Sequence, residues 1–211
     1  MIQIITIERE YGSGGGDIAA LLANHLGWKL WDQELTEEIA RLAKCPKHVI
    51  ETREERTDPL YYRLFKSFLR GSYEGSLNAP NLNLVDSEAI AKISEHVVLH
   101  AAESGNSVIV GRGSQHFLRN RTDALRVFLY GSRENKIRRL LARGKSKAEA
   151  EQLIDSVDRD RTDYIAKYFH VEWPNRAIYQ AMFNTDIGDQ ATANVILDFM
   201  ATLESRAAVS A

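Results

Sequence analysis

Apolar residues along this chain fall into short β-branched runs separated by longer stretches of helical period. Ile2–Ile7, Trp28–Trp31, Ser107–Gly111, Leu125–Tyr130 and Ala181–Asn184 read as strands. Between them the spacing predicts helices over roughly 14–26, 33–43, 59–70, 87–103, 132–143, 147–168 and 189–205. In the first of these, Ile18, Leu21, Leu22 and Leu26 share one face. Strands alternating with helical crossovers specify a parallel sheet with helices on both faces. The expected fold class is α/β. Ligands of such sheets bind beyond the carboxyl ends of the strands. There the turn after the first strand would meet Asp32 and Gly111-Arg112-Gly113.

That first turn carries the most chemistry. The strand runs into Gly12-Ser13-Gly14-Gly15-Gly16-Asp17, and a helix opens at once. Glycines let a backbone approach an anion, N–H groups at a helix start donate to it, and the helix dipole favours its charge. A phosphate cradle is expected at residues 12–17. A Walker A loop, however, reads G-x-x-x-x-G-K-[ST]. With Gly14 as its last glycine, Arg9 replaces the first, Gly15 replaces the lysine and Gly16 stands where Ser or Thr would bind a metal.

Composition narrows the picture. The chain has 211 residues, 44% of them hydrophobic, enough for one α/β domain with a sizeable core. Its formal charge of −2 gives no electrostatic reason for binding a nucleic-acid polymer or a membrane surface. The single cysteine, Cys45, excludes an internal disulfide framework and reads as a packing residue. No basic leader precedes the first strand, and no apolar run reaches the ~18 residues that span a bilayer, so a cytoplasmic location is expected.

Two nucleotide folds compete for this pattern. Gly12-Ser-Gly14 and Asp32 suit a Rossmann fingerprint, but its third glycine falls on Asp17, an anion that would oppose a pyrophosphate. A Tyr-x-x-x-Lys string at Tyr62–Lys66 precedes the third strand, too early for a short-chain dehydrogenase. The second half of the chain argues for phosphoryl transfer instead. Arg133, Arg138, Arg139 and Arg143 follow the fourth strand, and Asp158-Arg159-Asp160-Arg161 leads to Tyr164 and Tyr168. Spread positive charge on a helical lid would stabilise a transferring phosphoryl group and exclude water from it.

Three segments then carry a resemblance. Residues 5–15, Ile-Thr-Ile-Glu-Arg-Glu-Tyr-Gly-Ser-Gly-Gly, are one; Val-Ile-Val-Gly-Arg-Gly at 108–113 is another. The third is Asp158-x-x-Arg161-x-x-Tyr164-x-x-x-Tyr168-x-x-x-x-Trp173, with a closing Tyr179 to Asn184-Thr185. Together they resemble the cytidylate kinase-like family, a branch of the P-loop nucleoside monophosphate kinases. The resemblance implies a P-loop NTPase-type three-layer sandwich: a five-stranded parallel sheet with helices on both faces and a helical lid. It also implies ATP-dependent phosphorylation of CMP or dCMP with Mg2+, the acceptor being a small-molecule nucleotide. Within one domain over 1–211, the acceptor-binding insertion would span about 33–86 and the lid about 144–178. Two positions depart from characterised cytidylate kinases. Glu38 stands where a phosphate-gripping arginine is carried, and Gly113 where an aspartate helps recognise cytosine.

The expected site follows. Gly12, Ser13, Gly14, Gly15, Gly16, Asp17 and Arg138 would hold ATP. Arg9, Arg159 or Arg161 would stand in for the lysine, the latter two closing over the transferring group. Asp32 would act near the acceptor or the metal, whose ligands the sequence leaves open, and Arg112 and Asp158 would bind the acceptor. Two other readings stay open: a non-catalytic nucleotide-binding protein with a degenerate loop, and a kinase of a different small acceptor. The histidines, including His96 and His100 four apart, show no metal-ligand spacing. Trp28 and Trp31 read as core or pocket wall, Tyr61, Phe65 and Phe68 as an amphipathic face, and Gly71–Asp86 as a long loop.

Overall fold

The computed structural model describes residues 1–32, 34, 35, 38, 39 and 87–209. The helix expected over 59–70, the loop at 71–86, Cys45, the Tyr62–Lys66 string and the Tyr61, Phe65, Phe68 face all lie outside the described residues, as does most of the 33–86 insertion.

The described chain runs β1 (Ile4–Arg9), α1 (Gly15–Leu26), β2 (Lys29–Trp31), α2 (Ser87–Glu103), β3 (Ser107–Val110), α3 (Ser114–Phe117) and β4 (Ala124–Tyr130). It continues through α4 (Arg133–Ala142), α5 (Lys147–Phe169), a 3-10 turn, β5 (Ala181–Asn184), a second 3-10 turn and α6 (Asp189–Val209). The five strands form one parallel sheet in the order β2-β3-β1-β4-β5. β1 is central: Ile7 lies opposite Val110 of β3 and Val127 of β4.

Alternation along β1 sends side chains to opposite faces. Ile5 and Ile7 join Ile18, Leu22, Val108, Val110, Val127 and Ile196 in the core under α1 and α6. Ile4 joins Leu35, Ile39, Val97, Val98, Ile109 and Leu118 on the other side. These two cores make the three layers, each fully buried Ile or Leu contributing about 1.5–3 kcal/mol. A third, smaller cluster packs Tyr11 against Leu140 of α4 and Ala150, Ile154 and Val157 of α5. Helix α5 is thereby seated on the turn that follows β1.

Most boundaries follow from local chemistry. Ser132 caps α4 by accepting from Asn135 N, and Ser146 caps α5 by accepting from Glu149 N, each worth about 1 kcal/mol. Helix α5 stops where His170 turns left-handed. β1 lies two residues later than the apolar run suggests, because Glu8 and Arg9 complete the strand beside Phe128 and Leu129. β3 ends at Val110, since Gly111 leaves the extended region with φ 67°. The short α3 was not foreseen; four residues are too few to show a period.

Candidate active site

The carboxyl ends of β1, β2 and β3 bring three segments together. After β1, the turn closes through Ser13, whose Oγ donates to Glu10 O at 2.8 Å. Gly14 then adopts φ 80° as the residue before α1, and no side chain caps the helix. Gly14 has no side chain with which to cap the amide groups at the start of this twelve-residue helix, and helix starts of this kind receive anions. A side chain at 14 would also begin 3.0 Å or less from the Arg139 guanidinium and the Asp189 carboxylate.

Arg9 ends β1 and is 4% exposed. Its stem passes directly over Gly15, where a Cβ would lie 2.6 Å from its Cγ and 2.9 Å from its Cβ. Its guanidinium reaches Gly111 at the end of β3, with Cζ 3.4 Å from where a Cβ there would sit. Arg112 follows in the left-handed region at φ 60°, 3% exposed. Burial, and then the charge of Arg9, bring its guanidinium down to about 9, while Asp32 and Tyr164 pull the other way. Arg112 therefore stays charged at neutral pH. Asp32, at the end of β2, is buried, and its Oδ2 lies 3.4 Å from where a Gly16 side chain would begin.

Helix α5 grips the turn from behind. Arg161 Nη1 donates to the Arg9 carbonyl at 2.6 Å and to Asp158 Oδ1 at 3.0 Å. Tyr11 N donates to the same carboxylate at 2.8 Å. Lys136 of α4 pairs with Glu10 at 2.8 Å and stands 4.0 Å from Asp158. Burial lifts the Asp158 carboxyl to about 6, with Arg161, the Tyr11 amide and Lys136 opposing and Glu10 adding to the rise.

Arg9, Gly15, Gly16, Asp32, Arg112, Asp158 and Arg161 thus lie in one neighbourhood, the last two holding protein backbone. Gly12, Ser13 and Gly14 form the turn itself, whereas three other expected residues are engaged elsewhere. Arg159 is exposed on the opposite face of α5 from Arg161, as positions two apart on a helix must be. Arg138 is exposed and donates to Asn135 Oδ1 at 2.6 Å. Asp17 pairs with Arg143 at the end of α4.

Two features escaped the sequence reading. Arg139, not Arg138, lies against the phosphate loop, donating to Asp189 at 3.0 Å. Its spacing of four from the buried Asn135 was the available clue. Glu8 and Gln115 form a buried pair in which Gln115 Nε2 donates to the Glu8 carboxylate. Nothing in their local sequence announces it. His116 is neutral, its imidazole held down to about 4 by burial and Arg119, and it stacks on Phe169 at 4.2 Å. Among the described residues no group of three or more His, Cys, Asp or Glu could hold a metal ion, and no helix is long and apolar enough to cross a membrane.

Comparison with known proteins bears on the fold that carries this site. An uncharacterized protein from Eubacterium ventriosum superposes with a TM-score of 0.68 at 23% identity, covering 96% of this chain and 99% of that one. A gluconokinase from Sinorhizobium meliloti gives 0.53 at 14% identity over 99% and 97%. Shikimate kinase from Bacteroides thetaiotaomicron gives 0.52 at 15% over 95% and 99%. At these identities the likeness establishes the fold, that of the P-loop kinases. No curated protein matches significantly in sequence. The profile of the cytidylate kinase-like family matches residues 4–187, which include all five strands of the sheet, and the chain belongs to that family.

Proposed function

We propose that the protein transfers the γ-phosphoryl group of ATP to a nucleoside monophosphate, with CMP and dCMP as the leading acceptors. The observation that carries this reading is the burial of two arginines, Arg9 and Arg112, close enough to repel each other, beside Asp32 and in front of an uncapped helix start. Guanidinium groups bind phosphate through paired, charge-assisted hydrogen bonds, and two of them converge at this strand edge. Gly12–Gly16 would receive the ATP phosphates through backbone N–H groups, and Arg112 would hold the acceptor's phosphate through its fork of donors.

Mg2+, when bound, would offset negative charge on the ATP phosphates. Gly16 offers it no hydroxyl, and Asp32 is the carboxylate that the fold brings alongside. That donor suits an ion that binds through one or two carboxylates plus substrate phosphates. In the transfer, an acceptor oxygen forms a bond to the γ-phosphorus. The bond from phosphorus to the β–γ bridging oxygen breaks, and its electron pair leaves with ADP. A monophosphate oxygen is already anionic and needs no base.

A second acceptor class has one observation in its favour. Glu38, partly buried in the helical segment after β2, stands where cytidylate kinases carry an arginine for the monophosphate. A non-phosphorylated alcohol would suit it better, with Asp32 accepting the hydroxyl proton. A coupled ADP-release assay decides: Mg-ATP with CMP, dCMP, UMP, AMP and GMP in one arm, shikimate and gluconate in the other. Turnover with a pyrimidine monophosphate supports the proposal, and turnover with the alcohols alone transfers it to the second class. If no acceptor raises ADP release above ATP hydrolysis, the reading as a kinase of these acceptors fails and a nucleotide-binding protein without transfer activity replaces it.

A further inference from the structure

We propose that Arg9 is a catalytic residue that contacts the transferring phosphoryl group, and that arginine and glycine have exchanged the two Walker positions to allow it. The inference rests on the kinase reading above. In a Walker loop a glycine ends the strand and a lysine opens the helix; here the strand ends in Arg9 and the helix opens with Gly15.

The geometry explains why both residues had to change. The Arg9 stem occupies the space into which a residue-15 side chain would grow, with Cγ, Cβ and Cδ at 2.6, 2.9 and 3.3 Å from the Cβ position. Only glycine fits beneath it. Farther along, the guanidinium lies against Gly111, so a second glycine keeps its path clear. The cation starts at the phosphate loop and ends at the acceptor strand, next to Arg112. A group passing from donor to acceptor must cross that interval.

Its anchorage is built for accuracy. The Arg9 carbonyl is held by Arg161 and the Tyr11 amide by Asp158, so both backbone groups flanking Glu10 are fixed by α5. A planar guanidinium on a fixed root donates two parallel hydrogen bonds to phosphoryl oxygens, where a lysine supplies a point charge. Arg9 keeps its protons throughout and takes no part in bond making; it stabilises charge on the equatorial oxygens as the O–P bonds exchange.

Arg9→Met tests this, because it keeps a stem over Gly15 and removes the charge. With the acceptor found active, kcat is expected to fall by about a hundredfold. Calorimetry supplies an arm that needs no acceptor. Affinity for the β,γ-imido analogue of ATP should fall by about tenfold and for ADP by less than about threefold. Arg9→Lys should recover part of both losses. Equal losses for the two nucleotides, or no loss for either, overturn the proposal whether or not any acceptor turns over. If wild-type protein phosphorylates nothing but the analogue still depends on Arg9, the kinase reading fails alone and the phosphate contact stands. The double variant Arg9→Gly with Gly15→Lys restores Walker order and should bind the analogue at least about five times more tightly than Arg9→Gly. A folded double variant with no such gain overturns the exchange.

Discussion

Two glycine-bearing turns on neighbouring strands solve one problem in different ways. β1 leads through Gly14 at φ 80° into α1, and β3 leads through Gly113 at φ 70° into α3. Both turns lack a side-chain cap, both carry a buried arginine, and both rest on α5. The helices behind them differ: α1 has twelve residues and α3 has four. A helix macrodipole needs length, so on the proposed function the first turn would receive an anion through backbone, and the second would need a side chain. The two arginines are also placed differently: Arg9 ends its strand and crosses to Gly111 of the neighbouring turn, while Arg112 sits within its own turn in a strained, left-handed conformation. Their supports differ too. Under the first turn α5 places Asp158 and Arg161, bonded to backbone. Under the second it places Phe169, whose ring fills the space beside Gly113.

The sharpest break in this comparison is Gly14→Val. It combines a forbidden φ with a collision against Arg139, and nucleotide affinity should fall by more than about a hundredfold in calorimetry while circular dichroism shows the fold retained. The matching change in the other turn, Gly113→Ala, drives a methyl to 2.7 Å from the Phe169 ring. It should cost about 2 kcal/mol in urea unfolding and leave ATP affinity of the folded protein within about twofold. Loss of ATP binding there would erase the distinction between the turns.

Arg112→Lys probes the side-chain solution. Acceptor KM should rise by about tenfold with ATP affinity nearly unchanged, because an ammonium cannot reproduce the bidentate fork. Equal effects on both substrates would place Arg112 on the donor side.

Next in size is a pH effect from the polar support. Burial lifts the Asp158 carboxyl from 3.8 to about 6, so as pH falls through 6 the folded protein takes up this proton before the unfolded chain does. Folded wild type therefore gains on Asp158→Asn by about 1 kcal/mol between pH 7 and pH 5. Parallel unfolding curves for both proteins at the two pH values measure it, and an unchanged difference would mean that Asp158 is not buried as described. The smallest effects belong to the outward-facing arginines: Arg138→Ala and Arg159→Ala should each change kcat/KM by less than about threefold.

The strands were legible because burial on both faces of a parallel sheet leaves continuous apolar runs such as Ile4–Ile7 and Val108–Val110. The tight turn between β1 and α1 was legible from its glycines. Which arginine faces inward was harder to read. Arg138 and Arg139 are adjacent, as are Arg159 and Arg161 but for one residue, and the choice within each pair is one of helical phase set by tertiary packing. The Glu8–Gln115 pair joins residues 107 positions apart, a distance over which local pattern carries nothing.

The crowding of Arg9 against Gly15 also constrains how such a loop can change over generations. A lysine arriving at position 15 meets an arginine stem, and a glycine arriving at position 9 would remove the proposed phosphoryl contact before any lysine is present. On the role proposed for Arg9, each single step would pass through a poorer protein than either endpoint. The two sequence forms of the loop are then separate peaks with a valley between them, and a lineage that has settled on one is held there by the other's inaccessibility rather than by any superiority of its own.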